Sequence, residues 1–254
     1  MSHKTICITG ATAGIGRAAA EVLAKEGHRL IITGRRTEIL ESFAADLREE
    51  YKIECIPLSF DIRVRAEVEK QISDLPPEWQ KIDVLINNAG LAAGLDTVHE
   101  ANVDDWDQMI DTNIKGLLYI TRSVSPGMTK QGAGHIINIG SIAAKEVYSK
   151  GSVYCATKHA VDALTRGMRQ DLLPHGIKVS AIHPGAVDTE FSLVRFKGDE
   201  ERANSVYNGF DPLLAKDIAE AIVFVINRPA HVNIDDLLIM PSAQASATQI
   251  RRNN

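Results

Sequence analysis

The chain has 254 residues, 44% of them hydrophobic, enough to bury a sizeable core. Its 28 Lys and Arg against 33 Asp and Glu leave a formal net charge of -5, so the basic excess of a nucleic-acid binder is missing and no DNA or RNA partner is expected. Cys7, Cys55 and Cys155 form no CxxC pair, which argues against a disulfide framework or thiolate zinc site and for a reducing compartment.

Met1, Ser2, His3 and Lys4 pass directly into an apolar run, so no signal sequence is expected. The longest later apolar run, 221–226, is far shorter than the roughly 20 residues that span a bilayer. The expectation is a soluble, cytoplasmic protein with no membrane partner.

The first strand candidate, 5–9, runs into Thr9, Gly10, Ala11, Thr12, Ala13, Gly14, Ile15 and Gly16. A helix candidate follows over 15–26, with Ala18, Val22 and Leu23 on one face and Gly27 as its stop. Glycines in such a turn let the backbone approach a pyrophosphate, while the helix N-terminus offers free N–H groups and a favourable dipole. The second strand, 30–33, ends in Gly34, Arg35 and Arg36, where an NAD site presents an acidic residue to the ribose 2′-hydroxyl. Two guanidinium groups suit the 2′-phosphate of NADP(H) instead; a solvated surface pair is the alternative.

Further strand candidates follow at 53–58, 84–87, 135–140, 179–182 and 237–240. Long helical stretches lie at 104–118 and 152–173, the second ending before Pro174 and Gly176. The alternation predicts an α/β fold: a Rossmann-type, doubly wound parallel sheet of about seven strands with helices on both faces. No linker divides it, so one domain over 1–254 is expected. The polar tail, 242–254, lacks apolar periodicity and reads as a fraying terminus, with a flap over the active site as the other reading. No histidine pair has ligand spacing, and no metal is expected.

Tyr154 and Lys158 stand at i and i+4 in the last of these helices, and so on one face. That spacing alone carries little. Taken with TGxxxGIG near the start, Asn87, Asn88, Ala89 and Gly90 after the fourth strand, and Ser141 upstream of Tyr154, the chain resembles the short-chain dehydrogenase/reductase family along essentially its whole length.

The resemblance implies that Ser141 and Tyr154 hold the substrate oxygen, that Lys158 binds the nicotinamide ribose beside Tyr154, and that Asn113 completes a proton relay. It further assigns the 9–16 turn to the cofactor phosphates, Asp61 and Ile62 to the adenine, and Asn88 to the cofactor ribose region. The 184–189 run, through Pro184, Val187 and Thr189, goes to the nicotinamide. For Asp61 a helix N-cap is the alternative. A free tyrosine has a pKa of about 10; the Lys158 ammonium and an oxidised nicotinamide are expected to favour its phenolate. Assembly as a homodimer or homotetramer is likewise implied.

The segments GLAAG (90–94), WDQMIDTNIKG (106–116), EFSLVRFKGD (190–199) and PAHVNI (229–234) resemble a narrower branch. It comprises NADP-dependent 3-hydroxy acid dehydrogenases and, more closely, sulfoacetaldehyde reductases that form isethionate. The expected reaction is NADPH-dependent reduction of a small anionic aldehyde, sulfoacetaldehyde first. Oxidation of 3-hydroxy acids such as 3-hydroxypropionate, serine or allo-threonine is the alternative, and a non-catalytic NADP-binding regulator is the alternative from another class. An anionic substrate needs a fixed cation. Arg195 is the candidate, ahead of Lys197 and Arg202, because its fork can hold a sulfonate or carboxylate through two hydrogen bonds. Tyr148 is expected to offer its hydroxyl to the substrate, directly or through water, or else to pack. Gln244 in the tail is a further neutral donor.

Overall fold

The computed structural model describes residues 3–253. Met1 and Ser2, on which the reading of the amino terminus partly rests, and Asn254 of the tail lie outside the described residues.

In chain order the strands are β1 (Thr5–Ile8), β2 (Arg29–Gly34), β3 (Cys55–Ser59), β4 (Val84–Asn87), β5 (Gly134–Ile139), β6 (Ile177–Pro184), β7 (Val187–Asp188), β8 (Leu213–Leu214) and β9 (Asp236–Ile239). The helices are α1 (Gly14–Lys25), α2 (Thr37–Tyr51), α3 (Arg65–Ser73), α4 (Val103–Ile110), α5 (Leu117–Gln131), α6 (Ser152–Leu172), α7 (Glu190–Arg195), α8 (Glu200–Ser205) and α9 (Ala215–Ile226). Seven strands make one parallel sheet in the order β3-β2-β1-β4-β5-β6-β9, as the alternation predicts; β7 and β8 pair apart from it.

Successive side chains on a strand point to opposite faces. Ile6 and Ile8 of β1, Leu30 and Ile32 of β2, and Val84 and Ile86 of β4 enter one core with Leu23 of α1, Phe43 of α2 and Ile222 of α9. Cys7, Ile31 and Leu85, the residues between them, enter the other core with Val68 of α3 and Ile120 and Val124 of α5. Two covered faces require strands that are apolar at every position, which is why these runs do not alternate. The strand order reverses between β1 and β4, and the C-terminal ends of these neighbours open a crevice where ligands of such sheets bind.

Two expectations need correction. The helix expected over 104–118 is the first part of a longer run: α4 opens under Asn102, whose side chain accepts from the Asp104 N–H at 2.9 Å. It widens into a π-helical turn over Asp111–Gly116 and continues as α5 through Pro126. Ser123, Ser125, Pro126 and Gly127 interrupt the apolar period, yet Ile120, Val124 and Met128 keep the helix docked.

The tail, expected to fray, is folded. The Ala245 N–H donates to the Gln249 carbonyl at 2.9 Å, Arg251 to Ala243 at 2.8 Å and Asn253 to Gly209 at 2.6 Å. Arg252 donates to the Val206 carbonyl at 3.1 Å and lies over the Phe210 ring. The acceptors are main-chain carbonyls, Val206 and Gly209 far away in sequence and Ala243 and Gln249 within the tail, which apolar periodicity cannot reveal. Among the described residues no helix is long and apolar enough to cross a membrane.

Candidate active site

The turn from β1 into α1 is shaped by what it lacks. Gly10 and Gly14 have φ of +68° and +52°, values that favour glycine. A Cβ on Gly16 would lie 2.4 Å from both Asn88 Nδ2 and the Gly10 carbonyl oxygen. Thr9 Oγ1 accepts from the Asn88 and Ala89 N–H groups at 3.0 and 2.9 Å, and Asn88 Nδ2 donates to the Thr9 and Gly10 carbonyls at 2.9 and 3.1 Å. Thr9 and Asn88 thus join the ends of β1 and β4 to each other. Ala13, the residue capping α1, makes no side-chain hydrogen bond to the helix, so first-turn N–H groups are left for an anion. Ile15 leans on the core.

The two arginines after β2 differ. Arg36 donates to Thr12 Oγ1 at 3.0 and 3.2 Å and to the Thr12 carbonyl at 3.1 Å, and it pairs with Glu190 Oε2 at 3.1 Å. Arg35 is exposed and makes no hydrogen bond or ion pair among the described residues. The Arg36–Glu190 side chains are 43% and 53% exposed, so that pair contributes at most about 1 kcal/mol and a phosphate can displace it.

The Asp61 carboxylate is taken by Arg63, with Nη2 at 2.6 Å from Oδ2 and Nε at 3.0 Å from both oxygens; these bonds outweigh burial and hold its pKa below the usual value. The cap of α3 is Val64, so the alternative reading of Asp61 as N-cap fails. Ile62 is buried against Gly116, where a Cβ would lie 2.9 Å from its Cγ2. Pro184 ends β6, Val187 lies in β7, and Thr189 caps α7 through the Phe191 N–H at 3.3 Å. Thr189 Cβ lies 3.3 Å from where a Cβ on Gly14 would be, bringing the 184–189 run against the glycine turn.

Tyr154, Lys158 and Ser141 come together beyond β5. Burial pushes the Tyr154 phenol up to about 12 and the Lys158 ammonium down to about 8. Against burial, the Arg195 guanidinium and a hydrogen bond from Ser141 draw the phenol down. The expected neighbour, Lys158, instead donates to the Ile139 carbonyl at 3.0 Å, with Nζ 6.0 Å from the Tyr154 ring centroid. Arg195, rather than Lys158, is the cation that favours the phenolate here. Ser141 Oγ accepts from the Ala143 N–H at 3.1 Å.

Asn113 sits in the π-helical turn, a distortion frequent at functional sites. Its amide is occupied: Oδ1 accepts from Leu91 N–H at 2.8 Å, and Nδ2 donates to the Leu91 carbonyl at 2.8 Å and Thr157 Oγ1 at 3.0 Å. Here the side chain braces the 89–91 segment. A Cβ on Gly90 would stand 3.1 Å from Asn113 Oδ1 and 3.5 Å from Lys158 Nζ, so the two residues border one glycine.

Arg195 ends α7 and faces the same cleft as Ala93, Gly94, Trp106 and Tyr154. Its Cζ is 5.0 Å from the Tyr154 ring centroid and 5.1 Å from that of Phe191; Nη2 donates to Tyr148 Oη at 2.9 Å. Arg195 Nε is buried with no hydrogen-bond partner among the described residues. The rival cations are engaged elsewhere, Lys197 with Asp105 at 2.8 Å and Arg202 over the Phe196 ring. Tyr148 therefore aims the guanidinium. Gln244 is engaged by the main chain at both ends of its amide: Oε1 accepts from the Ala186 N–H at 2.8 Å and Nε2 donates to the Ser246 carbonyl at 3.0 Å. It holds the 184–186 turn.

Sequence reasoning did not single out Phe191, whose ring packs on Tyr154 with centroids 5.6 Å apart. The quoted segment 190–199 contains it, but a lone aromatic in a polar run carries no signal of what it will touch.

Comparison with known proteins places the chain among dehydrogenases. The family model described as short chain dehydrogenase matches residues 4–199. An NADP-dependent 3-hydroxy acid dehydrogenase of Salmonella typhi is 46% identical over 95% of this chain and 96% of its own. One of Schizosaccharomyces pombe is 43% identical over 99% and 98%. Among solved structures, the closed form of serine dehydrogenase complexed with NADP+ superposes with a TM-score of 0.92 at 44% identity, covering 98% of this chain and all of that one.

Proposed function

The chain belongs to the short chain dehydrogenase family and is an oxidoreductase of it, and from that premise we propose that it interconverts small 3-hydroxy acids, serine among them, and their 3-oxo acids with NADP(H). The observation that carries the substrate class is Arg195, a guanidinium beside the catalytic phenol with a buried Nε that has no partner. The carboxylate of a 3-hydroxy acid lies two bonds from the carbon that is oxidised, which suits a cation at this short remove.

A sulfonate in sulfoacetaldehyde lies equally near its carbonyl carbon, so Arg195 does not separate the two substrates. The 3-hydroxy acid and serine dehydrogenases among the relatives do, and they favour the alternative over the isethionate-forming reaction ranked first from the sequence.

The residues fit a dinucleotide phosphate: glycines let the turn fold tightly at Gly10, Gly14 and Gly16, the N-terminus of α1 has no side-chain cap, and Arg35 is uncommitted beside Arg36 among the described residues. Gly10 to Gly16 would hold the phosphates, Arg35 and Arg36 the 2′-phosphate, Lys158 the ribose, and the 184–189 run the nicotinamide. NADP+ supplies a hydride acceptor when bound. Tyr154, as phenolate, takes the hydroxyl proton of the substrate at Oη, and in reduction it returns that proton. Ser141 donates to the substrate oxygen as charge develops there. Arg195 clamps the carboxylate, with Tyr148 fixing its plane. A homodimer or homotetramer is part of the proposal.

The test is a panel. With NADP+, serine and 3-hydroxypropionate should be oxidised with higher kcat/KM than isethionate, and NADPH oxidation by sulfoacetaldehyde should be slower than by 3-oxo acids. Sulfoacetaldehyde as the preferred substrate would reverse the assignment.

A further inference from the structure

Behind Ser141 lies a buried charged cluster that the mechanism above does not use. His183, near the end of β6, is fully buried, and a Cβ on Gly140 would lie 2.2 Å from its Nδ1. That nitrogen stands 3.3 Å from both the amide nitrogen and the carbonyl oxygen of Ser141. On the other side of the ring, Nε2 faces Asp162 Oδ1 of α6 and Asp236 Oδ2 of β9, each at 3.5 Å. Lys145 closes the short turn that Ser141 opens. Its Nζ lies 2.9 Å from Asp162 Oδ1 and also pairs with Asp236, while Arg166 holds the other Asp162 oxygen at 2.8 Å. The three acceptors could suit a divalent cation, but the Lys145 ammonium already bridges the two carboxylates.

We propose that His183 is a positioning residue for Ser141: held as its Nε2–H tautomer by the Asp162, Lys145 and Asp236 group, it accepts the Ser141 N–H at Nδ1 and so sets the angle of the serine hydroxyl. The tautomer follows from electrostatics. A lone pair on Nε2 would face two carboxylates, whereas an N–H there faces two acceptors. Lys145 and Arg166 balance Asp162 and Asp236, so the cluster is neutral when the imidazole is neutral. Burial, opposed mainly by Asp236, keeps the imidazole below its ordinary range. A protonated ring has no lone pair for the Ser141 N–H, and its Nδ1–H turns to the Ser141 carbonyl instead. Acid then inactivates by moving the serine.

The inference rests on Ser141 touching the reacting oxygen, which Ser141→Ala tests separately. Because a misplacement of about 1 Å can cost on the order of 100-fold, His183→Leu should lower kcat at least about tenfold at saturating NADP+ and serine while leaving the NADPH dissociation constant unchanged. His183→Asn keeps an acceptor near Nδ1 and should recover most of the rate; in the direction of reduction, where protonated Tyr154 imposes no acid limb of its own, its kcat profile should lose the fall at acid pH. A normal rate in His183→Leu, or equal rates in the two variants, overturns the proposal. Should neither variant fold, Asp236→Asn at the sheet edge decides. Loss of a carboxylate that favours the imidazolium must move the acid limb to lower pH, and an unmoved limb overturns the idea. A silent His183→Leu beside a crippled Ser141→Ala removes only the role of His183; a fully active Ser141→Ala removes the serine from the mechanism itself.

Discussion

On the side of the crevice proposed for the cofactor the wall is mostly main chain: glycines where Cβ atoms would collide, carbonyls gripped by Asn88, and helix N–H groups left open. On the side proposed for the substrate it is side chains from distant segments, with Tyr154 of α6, Arg195 and Phe191 of α7, and Tyr148 from the loop between β5 and α6 stacked on one another. A wall of backbone tolerates little change, because any added atom has nowhere to go. A wall of side chains can be retuned by one replacement with the fold intact, which is how one scaffold serves many substrates.

The largest effect expected is chemical. Tyr154→Phe removes the only group proposed to move the proton, so kcat should fall on the order of 1,000-fold, while NADPH titration by fluorescence shows binding close to normal. Strong turnover in this variant would break the proposed mechanism on both walls at once.

Arg195→Met is next, and it separates the walls. Losing a charged hydrogen-bond partner costs about 2 to 3 kcal/mol, or roughly 30- to 160-fold in kcat/KM for 3-hydroxy acids, with much smaller losses on neutral alcohols. The same guanidinium is the largest influence opposing burial at the Tyr154 phenol. Its removal should therefore carry the phenol further up, and the alkaline rise of the oxidation rate should move to higher pH. Equal losses on charged and neutral substrates would show that Arg195 only holds the wall together.

The smallest effect is on the other wall. Arg35→Ala takes away the uncommitted guanidinium and leaves Arg36, so the kcat/KM preference for NADP+ over NAD+ should drop roughly tenfold, about 1.4 kcal/mol. An unchanged preference would assign the 2′-phosphate to Arg36 alone.

The difference between the walls also explains what could be read in advance. The glycine turn, its preceding strand and its following helix are contiguous, and the main-sheet strands reveal themselves as short apolar runs, unbroken in the central strands whose two faces are covered. Arg195, Tyr148 and Gln244 could be named as candidates near the site, but not what each would hold. That Tyr148 grips Arg195, that Gln244 grips Ala186 and that Asn113 grips Leu91 depends on loops meeting in space. The long helical stretches read from the sequence omit α2 and α9, although both are amphipathic and supply core residues such as Phe43 and Ile222. Asp61 looked available and is held by Arg63, a partner two positions away whose side chain could equally have faced solvent.

The folded tail has a consequence for how this molecule can vary. Gln244 fastens it to the 184–186 turn, and Arg252 and Asn253 fasten it to the 206–209 stretch, so it works as a strap with two fixed buckles. Between them Ala245 and Arg251 are held through their peptide groups, while the Ser246 hydroxyl accepts from the Thr248 and Gln249 N–H groups. Substitution in 245–251 is therefore cheap except at Ser246, whereas insertion or deletion of even one residue puts the buckles out of step and slackens the segment that carries Arg195.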